Sequence, residues 1–178
     1  TYKVLFIDAS MNVSDNKTAL INFLSAGGKI VMRELTPENI GNVSSILPSD
    51  INLKPLPEPD AKVMRSREIC PIRVYKTGYD PILAGITNCE LYWRTQSTYQ
   101  GRFGDEIAPI AAYSITGSNV TALTEPAILA KIPSGKGEII IDQIDWQTGL
   151  NRVTVNTSRF IRNFLNNLGI KMSPNITY

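Results

Sequence analysis

Side chains with chemistry to offer are unevenly spread along this chain. Histidine is absent altogether. That removes Ser-His-Asp and Cys-His triads, the imidazole general base and histidine-ligated metals. Carboxylate, aromatic and thiol chemistry remain. Asp142 and Asp145 stand at the exit of an apolar run, Glu138-Ile139-Ile140-Ile141, and Asp8 closes an earlier one, Val4-Leu5-Phe6-Ile7. Carboxylates so placed can hold a cation or exchange protons with a substrate, provided two of them converge in one pocket. An Asp at a strand exit also commonly accepts backbone N–H bonds from the following loop, and this architectural role competes at each position.

Tyr92, Trp93, Tyr99 and Trp146, together with Arg94 and Gln143, are residue types that stack on sugar rings and hydrogen-bond their hydroxyls. Packing in a core or against another domain is the alternative. Cys70 and Cys89 lack a C-x-x-C or zinc-like spacing, so they are buried thiols or one disulfide. Glu90 beside Cys89 opposes thiolate formation and argues against a nucleophile. No G-x-S-x-G elbow occurs. Gly135-Lys136-Gly137 is too short for a phosphate loop and lies between two apolar runs, so it is a turn. The residues singled out for ligand binding are therefore Asp8, Trp93, Arg94, Asp142, Gln143 and Trp146. No catalytic residue, metal ligand or cofactor is assigned.

The elements that must position these residues follow from periodicity. Tyr2 to Asp8 predicts a buried strand, with Ser14 and Asp15 as caps for a helix over 16–26 whose apolar stripe is Ala19, Leu20, Phe23 and Leu24. Gly27-Gly28 ends that helix and Lys29 to Arg33 returns as a strand, completing a right-handed β-α-β unit. Thr36-Pro37-Glu38 predicts a second helix to about Leu47, and residues 48–60, with four prolines, an extended connection. Extended segments are expected over 61–67, 69–76, 107–115 and 120–123, and a short helical turn over Asp80 to Leu83. Two strands, 127–132 and 138–144, are joined closely enough for a hairpin. A final helix over about 154–168 carries Phe160, Ile161, Phe164, Leu165 and Leu168. The sum predicts an α/β protein: a three-layer α/β/α sandwich on a mainly parallel, flavodoxin-like sheet with a late antiparallel hairpin.

Bulk properties set outer bounds. At 178 residues, 43% hydrophobic and 19% charged, the chain suits one ordinary domain rather than a disordered segment. Its net charge of +2 comes without a Lys/Arg block, which argues against nucleic acid. No apolar run reaches the roughly 20 residues of a membrane-spanning helix. The first strand begins almost at once without an initiator Met, the expectation being a domain cut from a longer chain. Sequons at Asn12, Asn16, Asn42, Asn119, Asn156 and Asn175 reflect either an Asn/Ser/Thr-rich secreted composition or true glycosylation. Both favour an extracytoplasmic location.

Three stretches carry a resemblance: Leu35-Thr36-Pro37-Glu38-Asn39; Asp80 to Asn88, continuing through Leu91-Tyr92-Trp93; and Gly135-Lys136-Gly137-Glu138 through Asp142-Gln143-Ile144, followed by Asn167-Leu168-Gly169. With them the chain resembles a class I glutamine-amidotransferase-like domain, of the degenerate type embedded in large secreted glycoside hydrolases of the β-galactosidase kind. Active members of that family use a Cys nucleophile on an elbow with a downstream His and Glu. With no elbow and no histidine here, none of those roles transfers. The resemblance implies fold and companions: a non-catalytic accessory domain spanning 1–178 that packs against, or oligomerises, a catalytic domain of the same polypeptide. A carbohydrate-binding module using exposed aromatics is the alternative, and a hydrolase relying on Asp8, Asp142 or Asp145 a second one.

Overall fold

The computed structural model describes residues 3–8, 11–33, 35–36, 38–55, 75–88, 90–91, 113–125, 127–144, 146, 150 and 154–171. Predicted segments 61–67, 69–74 and 107–112 lie outside them, as do Tyr92, Trp93, Arg94, Tyr99, Cys70, Cys89 and Asp145.

The sheet is built around two strands whose middle residues are wholly apolar. β2 (Lys29–Arg33) and β9 (Gly137–Asp142) contribute Ile30, Val31, Met32, Ile139, Ile140 and Ile141, all 0% exposed. Continuous β-branched runs of this kind belong to strands covered on both faces. β1 (Val4–Asp8) pairs parallel with β2, and β2 parallel with β9. β8 (Leu129–Ser134) pairs antiparallel with β9, and β6 (Thr121–Ala122) antiparallel with β8, giving the order β1-β2-β9-β8-β6. Two short antiparallel ladders stand apart: β3 (Asn52–Pro55) with β5 (Tyr113–Thr116), and β4 (Tyr75–Lys76) with β7 (Thr124–Glu125).

Register sorts the side chains by face. Ile30, Met32, Ile139 and Ile141 join Leu20 and Leu24 of α1 (Lys17–Ser25) and Val43 of α2 (Ile40–Ser44) in one apolar cluster. Val31 and Ile140 join Phe160, Ile161, Phe164 and Leu168, from and just beyond α3 (Thr154–Asn167), in a second. The architecture is thus mixed α/β, with few helices around one five-stranded sheet. The expectation of a mainly parallel sheet holds for two pairings; the hairpin and β6 make the other two antiparallel.

Other expectations are corrected locally. β1 is not fully buried: it ends the strand order and leaves Phe6 38% exposed, because apolar composition alone does not distinguish an edge strand from a central one. Ser14 and Asp15 do not cap α1; they belong to a 3-10 turn, Ser14–Asn16, and Asn16 precedes α1 without a side-chain cap bond. α2 begins only at Ile40; ahead of it the Asn39 side chain turns back to accept from Thr36 N–H at 2.8 Å, a bond of the kind that caps a helix start. Part of the proline-rich connection is strand β3.

One close approach fastens the hairpin to α1. Gly28 N–H donates to Phe23 C=O at 2.9 Å and Gly27 adopts φ 92°, a Schellman-type ending. A Cβ on Gly137 would strike the carbonyl oxygens of Gly28 and Leu24. The Gly135-Lys136-Gly137 turn is therefore shaped by contact with the end of α1.

Candidate functional site

Three parallel strands end level with one another. Asp8 is in register with Arg33, and Arg33 with Asp142. Side chains on in-register neighbours share a face, so a carboxylate, a guanidinium and a second carboxylate form one row across the carboxyl ends of β1, β2 and β9. This edge is where α/β sheets bind ligands.

Asp142 is fully buried. One of its oxygens, Oδ1, accepts from Ile144 N–H at 3.0 Å. The other, Oδ2, faces Arg33 Nε at 3.7 Å, an ion pair without hydrogen-bond geometry. Burial pushes the Asp142 carboxyl up to about 6; the Ile144 N–H, the Arg33 charge and the nearby Trp146 indole N–H pull the other way. That indole N–H lies close enough to steady the charge but does not form a full hydrogen bond. The Arg33 guanidinium sits 4.0 Å from the Trp146 ring centroid, a cation–π contact. Edge-on contacts with Phe6 at 6.2 Å, Phe160 at 6.5 Å and Phe164 at 6.2 Å surround the indole. Trp146 is half-buried and joins the α3-side cluster.

Gln143 points to the opposite face and does structural work there. Its Oε1 accepts from Tyr113 N–H at 2.9 Å and its Nε2 donates to Tyr113 C=O at 2.8 Å. The side-chain amide thereby imitates a strand neighbour and docks β5 beside the exit of β9. Asp8 is exposed at the end of β1, and its C=O accepts from Met11 N–H at 2.9 Å. So the structure gathers Asp8, Asp142 and Trp146 at one edge and sends Gln143 elsewhere.

Sequence reasoning missed Arg33. Its signal was present: like Asp8, it is the charged residue that closes a strand of the β-α-β unit. Thr157 and Ser158 were missed too. They are polar positions on the buried side of α3, 0% and 8% exposed, and Thr157 precedes Phe160 and Phe164 at helical spacing.

A second constellation binds the loop at Asp80 to Glu90. The Asp80 carboxylate accepts from Ile82 N–H at 2.9 Å and pairs with Lys131 Nζ at 2.5 Å. Burial opposes its charge, but Lys131 and the Ile82 N–H outweigh that and hold the carboxyl below its ordinary value. Five successive carbonyls are then taken up. Asn167 Nδ2 donates to Ile82 and Ala84, Lys76 Nζ to Leu83 and Ile86, and Asn163 Nδ2 to Gly85. Thr87 donates to Glu90, and Asn88 Oδ1 accepts from Lys76 N–H. The loop is an internal brace whose polar groups are spent on architecture.

No group of three metal-ligating side chains occurs among the described residues. Among them, no helix is long and apolar enough to cross a membrane.

Neither a family model nor a curated protein sequence matches the chain. Solved structures similar to it include two glycoside hydrolases. One is an exo-β-1,4-mannosidase from Opitutaceae bacterium strain TAV5, at 12% identity and TM-score 0.44, covering 89% of this chain. The other is a cold-adapted β-galactosidase from Rahnella sp. R3, at 11% identity and TM-score 0.47, covering 98%. Both are glycoside hydrolases, and the match covers only 24% of each of those chains.

Proposed function

We propose that this chain is a non-catalytic accessory domain of a multidomain carbohydrate-active protein. In this reading it has the glutamine-amidotransferase-like, three-layer flavodoxin-like form and packs against or oligomerises a catalytic domain outside the cytoplasm. One observation carries the proposal: segments far apart in sequence that bear the family resemblance interlock in space. The Asp80–Asn88 loop is held by Asn167, the first residue of Asn167-Leu168-Gly169. A signature whose parts brace one another is a signature of fold, which is what the resemblance implies in the absence of histidine.

The carboxylate-hydrolase alternative is disfavoured by the surroundings of Asp142, which is shut in between Ile144, Arg33 and Trp146. A sugar-stacking role for Trp146 is disfavoured by the guanidinium over its ring. The test is a hydrolysis panel: the purified chain against aryl β-galactosides, β-mannosides and β-glucosides, and against glutamine. The expected result is no turnover above buffer. Turnover that rises with protein concentration and disappears in Asp142→Asn would overturn the proposal.

A further inference from the structure

The sequons at Asn12, Asn16, Asn42, Asn119 and Asn156 lie within the described residues, and the fold treats them unequally. Asn12 Nδ2 donates to Asp15 Oδ2 at 2.7 Å, and its Oδ1 accepts from Asp15 N–H at 3.2 Å. Asn16 Nδ2 donates to Asn12 C=O at 3.1 Å. Asn42 joins α2 to the loop after β1. Its Nδ2 donates to Met11 C=O at 2.6 Å, and its Oδ1 accepts from the Ser14 N–H at 2.9 Å and hydroxyl at 3.0 Å. Asn156 is half-buried and engaged, and the Ser158 hydroxyl of its sequon is buried. Asn119 alone among these five keeps an exposed side-chain amide that no hydrogen bond engages.

The turn that carries Asn119 explains this. Gly117, Ser118, Asn119 and Val120 link β5 to β6, with Val120 N–H donating to Gly117 C=O at 3.4 Å. Gly117 packs so closely on the chain ahead of β3 that a Cβ would lie 2.6 Å from Ile51 Cδ1. Ser118 N–H donates to Asp50 Oδ2 at 3.2 Å, and its hydroxyl donates to the same oxygen. Val120 packs against the α1-side apolar cluster. Three of the four turn residues are thus fixed against the fold, and Asn119 is left to solvent. Thr121, which supplies the sequon hydroxyl, is exposed as well.

An N-x-S/T asparagine on the surface of a secreted chain is a glycan acceptor. The attached sugar replaces one hydrogen of Nδ2 and adds bulk there. At Asn42 that bulk would enter the joint with Met11 and Ser14; at Asn119 it enters water. We infer that Asn119 is an N-glycan acceptor, modified by an oligosaccharyl transferase during export. The donor is an oligosaccharide carried on a lipid pyrophosphate. Asn119 Nδ2 bonds to the anomeric carbon, and the bond from that carbon to the pyrophosphate oxygen breaks, its electron pair leaving on the lipid pyrophosphate. The amide nitrogen gives up one proton to a base of the transferase, and nothing is oxidised or reduced. A glycan here also keeps the β5–β6 corner out of the interface with a catalytic domain. The inference rests on the extracytoplasmic part of the proposed function, and the accessory role survives if it fails.

Secretion of the 178-residue chain through a eukaryotic export pathway supplies transferase and donor directly, so failure at Asn119 is distinct from failure of the proposed location. Glycopeptide mass spectrometry of the folded, secreted chain is expected to find Asn119 occupied in most molecules and Asn42 bare. Thr121→Val removes the sequon hydroxyl and keeps a β-branched strand residue. It should abolish attachment at Asn119 and shift the melting temperature by no more than about 2 °C. A bare Asn119 in the folded, secreted chain would overturn the inference. So would attachment that survives Thr121→Val, or Asn42 occupied as fully as Asn119.

Discussion

Asp142→Asn isolates the cost of burying a charge at the carboxyl edge of β1, β2 and β9. The carboxyl is held at about 6 in the folded chain against an ordinary value of 3.8. A folded pKa above the unfolded one means the native state binds the proton first. At neutral pH the charged form therefore costs the fold, and that cost is relieved as pH falls from above 6 toward 4. The full cost is about 3 kcal/mol, of which about 2 kcal/mol is recovered between pH 7 and about 4.5. With a urea m-value of about 2 kcal/mol/M, the wild-type midpoint should gain about 1 M over that interval relative to the variant. Asn keeps an acceptor for the Ile144 N–H, so the variant retains that bond and loses only the titration. Asp80 and Glu90 act in the opposite sense: their carboxyls are held below ordinary values, and the stability they contribute disappears toward the acid end. Both chains share that loss, so the difference between the two urea series reports Asp142 alone. Parallel midpoints at the two pH values would refute the reasoning.

Gly137→Ala forces a Cβ onto the carbonyls of Gly28 and Leu24; a loss of about 1–3 kcal/mol is expected in urea or thermal unfolding. Asn167→Leu strands the carbonyls of Ile82 and Ala84 and should cost about 2 kcal/mol, with faster amide exchange across residues 82–86. Gln143→Ala removes both bonds to Tyr113 and is expected to cost about 2–3 kcal/mol, with exchange rising first in β5.

The opening β-α-β unit was legible because Ile30-Val31-Met32 and the Leu20/Leu24 stripe have clear periods, and Gly27-Gly28 marks the junction between them. The late hairpin was legible from its glycines, and α3 from Phe160, Phe164 and Leu168. Asp80-Pro81 announced its own helical turn. What the sequence concealed was pairing. Nothing in Val4-Leu5-Phe6-Ile7 reveals that its strand lies at the end of the order. Nothing local to Asn39 reveals that regular helix begins only after it. Asp8 and Asp142 drew attention separately, but Arg33 between them emerges only once register is known, since register is a property of neighbours. Gln143 looked like a ligand-binding amide, whereas a buried amide serves a backbone equally well, and Tyr113 offered one. The brace at residues 82–86 was hidden for the same reason: carbonyl groups have no signature in sequence.

The most direct measurement is association. Under the accessory-domain proposal, calorimetric titration of chain 1–178 into the catalytic portion it would accompany is expected to show a stoichiometric complex with a Kd of about 1 μM or tighter. The melting temperature of the catalytic portion should rise with occupancy. A chain that stays alone in that titration and hydrolyses glycosides by itself would contradict the account.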